Sequence, residues 1–131
     1  MSASRNIRKF SVAKRIFSFR YAFKGIRWFL SQQHNLLVHL LAVVAVTAAG
    51  VWFRIAQWEW IAVTFCMAMV IAAELFNSAI EILCDAIIPE RNRRAEIIKD
   101  VAAGAVLVIA AAAVITGLVI FLPKVYHIFS E

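Results

Sequence analysis

Three long apolar runs divide the chain, from about Leu36 to Phe53, from Trp58 to Ile88 and from Val101 to Leu122. Each comes near the roughly 20 residues that cross the hydrocarbon layer at a helical rise of about 1.5 Å per residue. They predict three transmembrane helices, 36–53, 58–88 and 101–122. The second is longer than a crossing requires, carries polar residues in its later half, and is expected to stop at Pro89. Ahead of the first run the pattern changes. Val12, Ile16, Phe19, Phe23, Ile26 and Leu30 recur at alternating steps of four and three, which is one stripe of a helix. Phe10, Phe17, Tyr21 and Trp28 form a second stripe on roughly the opposite side, with basic residues between the two. This predicts an amphipathic surface helix over 8–31, lying in the membrane interface with its cations toward headgroups. Two stripes call for two partners, lipid and protein. The helix is then either a plain anchor or a roof over a site where membrane meets cytoplasm. Together the elements describe a single all-α integral membrane domain over residues 1–131.

Composition agrees. Hydrophobic residues make up 63% of the 131 positions and charged residues 17%, too little charge to cover a soluble domain of this size. The formal net charge is +6, and its distribution sets an orientation. Eight cations lie between Arg5 and Arg27, ahead of the first span, and Arg91, Arg93, Arg94 and Lys99 cluster between the second and third. The loop between the first two spans holds only Arg54, and the C-terminal tail only Lys124. The positive-inside rule places the N-terminus and the second loop in the cytoplasm, and with three spans the C-terminus outside. A basic N-terminus serves nucleic acid in some proteins. Beside a span, attraction to anionic headgroups is the better use, and no nucleic-acid partner is expected. No cleavable signal peptide is evident.

The remaining polar and aromatic features take plain readings. Cys66 and Cys84 are 18 positions apart on one predicted helix, about 27 Å, too far for a disulfide. His34, His39 and Cys84 make no metal-ligand spacing. His39 is read as a hydrogen-bonded packing residue. Trp52, Trp58 and Trp60 read as an aromatic belt, and Ala102, Ala103, Gly104 and the alanines at 110–113 allow close helix packing.

One stretch does not fit a plain span. Residues 72–85 read AAELFNSAIEILCD. At about 100° per residue, Glu74, Asn77, Glu81 and Asp85 fall within about 80° of each other, and Ser78 joins them. A carboxylate at the bilayer centre costs roughly 2.5–3.5 kcal/mol on insertion scales. So expensive a face needs partners, and three uses compete: helix–helix hydrogen bonding, an ion or proton path, or a metal-assisted active site at the cytoplasmic end. After Pro89 the chain reads ERNRRAEIIKD, which brings Lys99 and Asp100 to that same side. A lysine beside acids able to hold Mg²⁺ is what a nucleotide phosphate requires. There is no G-x-x-x-x-G-K-[ST] loop, so a phosphoryl-transfer site here would be of another type. An ion path would need polar residues through the whole depth, and the first and third spans have almost none.

The run E-L-F-N-S-A-I-E-I-L-C-D, followed by K-D-V-A-A-G-A-V, resembles the prokaryotic diacylglycerol kinase and undecaprenol kinase family. F-K-G-I-R and N-L-L-V-H-L extend the likeness toward the N-terminus. The resemblance implies a homotrimer of three-span protomers in the bacterial inner membrane. It implies transfer of the γ-phosphate of Mg-ATP to the hydroxyl of a membrane lipid, at sites near the cytoplasmic interface. Glu74 then matches the catalytic base, with Asn77 and Ser78 beside it on the substrate side. Glu81 matches a metal-binding acid that faces ATP. Lys99 and Asp100 match a pair contacting nucleotide phosphates, and Glu90, Arg91 and Asn92 a loop near the nucleotide. Tyr21 and Lys14 fall at N-terminal positions of nucleotide or substrate contact, and Asp85 matches an acid of structural or electrostatic role. One departure stands out. The family's second metal-binding acid, just before the first span, is here Gln33, in S-Q-Q-H-N. An amide oxygen can coordinate Mg²⁺ but brings no charge. Leu37 stands where a basic residue is common. These departures leave a second expectation open, a catalytically weak or inactive membrane scaffold on the same fold.

Overall fold

A computed structural model describes residues 12–32, 35–88 and 92–130. They form four helices: α1 (Val12–Gln32), α2 (Asn35–Trp52), α3 (Gln57–Ile87) and α4 (Arg93–Phe129). The chain divides into an N-terminal unit, Met1–Gln32, and a larger unit, Gln33–Glu131. In the first, α1 exposes both apolar stripes: Ile16, Phe19 and Phe23 on one, Phe17, Tyr21 and Trp28 on the other. Residues 8–11 of the expected surface helix lie outside the described residues.

In the larger unit α3 packs mainly along α4, with a smaller contact to α2. α3 and α4 are each long and apolar enough to cross a membrane. Only 17% of the apolar window of α3 and 6% of that of α4 are buried, so neither is the core helix of a soluble fold. Large side chains such as Leu41, Phe65, Leu107 and Val119 stand exposed along all three helices. In water that surface would aggregate; it suits lipid or neighbouring chains. The apolar part of α2, Val38–Trp52, is shorter.

α4 outruns the apolar run that marks it in the sequence. The polar turns from Arg93 to Asp100 continue the helix, started by Asn92, whose side chain accepts from the Arg94 N–H at 2.8 Å. At the far end Pro123 lies inside the helix. Proline removes one backbone donor, and the turns on either side carry the helix past it to Phe129. α3 ends at Ile87, and Ile88, the residue before Pro89, has left helical geometry (φ −128°, ψ 77°), as the steric demand of a following proline favours.

The α2–α3 turn is tight and well specified. The Ile55 N–H bonds to the Gly50 carbonyl (3.1 Å) and the Arg54 N–H to the Val51 carbonyl (3.2 Å), the paired bonds of a Schellman motif. Its left-handed position is filled by Arg54 (φ 48°) where glycine is usual. Ile55 is buried there with Val63 and Ile120, and Phe53 tilts against Phe121 with ring centres 6.1 Å apart. Gly50 gives this knot its room: a Cβ there would meet the Trp60 ring at 2.7 Å.

Candidate active site

Glu74, Asn77, Ser78, Glu81 and Asp85 all lie on the uninterrupted helix α3, so the polar face read from spacing exists as one face. Exposure grades along it. Glu74 and Ser78 are buried at 9% and 4%, Asn77 and Glu81 are half-buried, and Asp85 is exposed. The face thus runs from a buried end at Glu74 to an exposed end at Asp85.

Each acid on this face has a partner. Oε1 of Glu74 lies 2.7 Å from Nε2 of His39 on α2. Asn77 Nδ2 donates to Glu81 Oε1 at 2.9 Å, one helical turn on. Asp85 pairs with Lys99 of α4. Lys99 therefore reaches the acidic face, as expected, and the acid it meets is Asp85; Asp100, next to it, is exposed. Asn77 Oδ1 is buried without a hydrogen-bond partner among the described residues. A buried orphan acceptor is costly, and here it sits on the amide whose nitrogen already holds Glu81.

Mg²⁺ takes oxygen ligands and keeps several waters, so one or two carboxylates suffice for it. The half-buried Glu81 carboxylate is an oxygen donor of that kind, and Asn77 turns its Nδ2 toward it. No group of three or more acids, histidines or cysteines that could hold a metal occurs among the described residues. Gln33, the other expected metal position, lies outside them, as do Glu90 and Arg91. Asn92 is described, with its side-chain oxygen engaged in capping α4. Tyr21 is an exposed residue of α1, and Lys14 lies in the first turns of that helix.

Beside the acidic face lies an apolar groove of about 580 Å³ between α2, α3 and α4, lined by Val43, Val70, Ala113, Gly117 and Phe121, with His39 also in its wall. His39 thus borders both the groove and the Glu74 carboxylate. Spacing could not reveal this contact, because the two residues are 35 positions apart on different helices.

A second buried carboxylate lies near the other end of α3. Glu59, 6% exposed, accepts from the Ala56 N–H at 2.6 Å and pairs with Lys124 of α4 at 3.0 Å. This is half of a capping box, since Ala56 has no side-chain acceptor to return the bond. From Trp60 to Ala73, between Glu59 and Glu74, α3 is apolar apart from Thr64. A polar path along its full length is therefore missing.

Comparison with known proteins bears on what this face is for. The profile of the prokaryotic diacylglycerol kinase family matches residues 20–121, which include the whole acidic face, Lys99 and Asp100. The chain belongs to that family. It is 36% identical over 107 residues to an undecaprenol kinase of Bacillus subtilis, an alignment covering 82% of this chain and 87% of the relative. It is 39% identical over 112 residues to a diacylglycerol kinase of a Synechocystis species, covering 81% of this chain and 61% of that longer protein.

Proposed function

We propose that this protein is a lipid kinase of the bacterial inner membrane, transferring the γ-phosphate of Mg-ATP to the hydroxyl of diacylglycerol or undecaprenol. The observation that carries this reading is the graded acidic face of α3 inside a family member: a buried Glu74, a half-buried Glu81 and, at the solvent end, a lysine drawn in from α4. In this reading α2, α3 and α4 are the three spans of one domain over 1–131, α1 is the interfacial helix, and three copies form the working unit. The N-terminus and the α3–α4 connection face the cytoplasm, where ATP is.

The chemistry follows from the positions. The lipid keeps its tails in the bilayer and presents its hydroxyl at the buried end of the face, near Asn77 and Ser78. Glu74 accepts the hydroxyl proton as general base. Lys99 offsets negative charge on the phosphoryl group in transit, and Asp100 with Glu90, Arg91 and Asn92 lines the nucleotide side. Tyr21 and Lys14 of α1 are kept as nucleotide- or substrate-contact residues on the family resemblance. Glu81, with Gln33, would hold Mg²⁺, which when bound neutralises ATP phosphate charge. Phosphoryl transfer demands mainly positioning and charge neutralisation, so so small a set of side chains is enough.

The deciding experiment is a radiolabelled ATP assay of the purified protein against diacylglycerol and undecaprenol separately, with and without Mg²⁺. Mg²⁺-dependent label in one lipid supports the reading. Nucleotide-independent assembly with no labelled product on either lipid would establish instead the weak or inactive scaffold, the reading that Gln33 favours.

A further inference from the structure

The His39–Glu74 contact joins two helices at the one carboxylate the proposed reaction needs as a base. The ring nitrogen and the carboxylate oxygen are 2.7 Å apart, with the side chains 22% and 12% exposed. At that distance a proton lies between them. When Glu74 is ionised, as a base must be, it can only accept, so the imidazole Nε2–H donates. A glutamate turning freely about its side-chain torsions would spread its lone pairs over many directions. With Oε1 held, Oε2 has no other hydrogen bond among the described residues. The same imidazole lines the apolar groove.

We infer that His39 is a positioning residue for this kinase: it donates Nε2–H to Glu74 Oε1 and holds Oε2 for the proton of the incoming lipid hydroxyl. The inference rests on the assignment of Glu74 as the base. In the step itself the hydroxyl oxygen forms a bond to the γ-phosphorus. The bond from that phosphorus to the β–γ bridging oxygen breaks, and its electron pair leaves with ADP. The hydroxyl proton passes to Glu74 Oε2. His39 touches none of the reacting atoms and acts through Glu74, as an orienting partner acts on a base in other enzymes. Misplacing a reacting group by about 1 Å can cost on the order of 10²-fold in rate, so fixing the carboxylate is a sufficient role.

Four variants of the full-length protein test this in mixed micelles, with diacylglycerol and undecaprenol as separate substrates: His39→Leu, His39→Gln, His39→Asn and Glu74→Gln. Leucine fills the space without a donor. Glutamine can place an amide N–H near the position of Nε2, and asparagine is too short to do so. The expected result is a kcat lowered about 10–100-fold in His39→Leu and His39→Asn, with KM for ATP and lipid unchanged, and recovery to within about 3-fold of wild type in His39→Gln. Should His39→Leu fail to fold, the contrast between glutamine and asparagine carries the same information. Wild-type kcat in both His39→Leu and His39→Asn, or equal losses in the glutamine and asparagine variants, overturns the positioning role. If Glu74→Gln is inactive in that same series, the base assignment survives. Undiminished turnover in Glu74→Gln removes the base assignment, and this inference with it.

Discussion

Lys124 Nζ lies 3.0 Å from Glu59 Oε2, at the opposite end of the α3–α4 pair from the contact between Lys99 and Asp85. Glu59 is among the few buried charged side chains, and Lys124 is its cation. Removing one member of such a pair leaves a carboxylate without compensation, whereas replacing both by apolar groups can be neutral. Lys124→Met is therefore expected to lower the thermal unfolding midpoint in detergent, and the double variant Lys124→Met, Glu59→Leu to restore most of it. A single variant as stable as wild type would show that the pair contributes nothing.

The α2–α3 turn gives two stability predictions of opposite sign. Arg54 occupies a left-handed conformation (φ 48°), which costs a residue with a Cβ roughly 1 kcal/mol relative to glycine. Arg54→Gly should stabilise by up to about that amount. Gly50→Ala should destabilise by about 1–3 kcal/mol, because the new methyl meets the Trp60 ring in a packed cluster. Denaturation midpoints of the two variants measured side by side check both signs.

At the site, Glu74→Gln is expected to reduce lipid phosphorylation by at least about 10²-fold, the usual share of a general base, with insertion and helix content unchanged. The measurement is steady-state kcat together with a circular dichroism spectrum.

Lys99 and Asp85 should separate in their effects. The pair is exposed on the Asp85 side, and exposed pairs contribute about 0–1 kcal/mol. Asp85→Asn should therefore change kcat and the KM for ATP by less than about 3-fold. Lys99→Met removes the cation that the proposed reaction sets against the phosphates, and it should raise the KM for ATP and lower kcat well beyond that. Equal effects of the two would mean that Lys99 serves the pair and not the nucleotide.

Gln33→Glu puts a carboxylate at the position where the resemblance implies a second metal-binding acid. The Mg²⁺ concentration giving half-maximal activity should fall in that variant. An unchanged Mg²⁺ titration would remove Gln33 from the metal shell.

How much of this was legible in the sequence differs from feature to feature, for physical reasons. Helical periodicity placed Glu74, Asn77, Ser78, Glu81 and Asp85 on one face because the relation is local to one helix. The end of α3 was readable from Pro89 for the same reason. The full length of α4 was not, because an apolar run marks where lipid can be tolerated, and a helix capped by Asn92 continues through charged turns beyond that run. His39 was recognised as a hydrogen-bonding residue, but its partner was beyond reach, since nothing local links positions 35 apart. Lys124 reads only as a lone cation beyond the third span, and Glu59 draws no reading. Only the packing of α4 along α3 shows that they neutralise each other.

The two lysines of α4 have a consequence for the membrane around the protein. Lys99 and Lys124 are 25 positions apart on one helix, which is about 37 Å along its axis. Each is paired with an acid of α3, at opposite ends of the packed helices. A hydrocarbon layer of about 30 Å fits between them. In a membrane the paired helices would gauge its thickness: a layer thicker than the gap must thin locally around them, and one thinner than the gap is met by tilting.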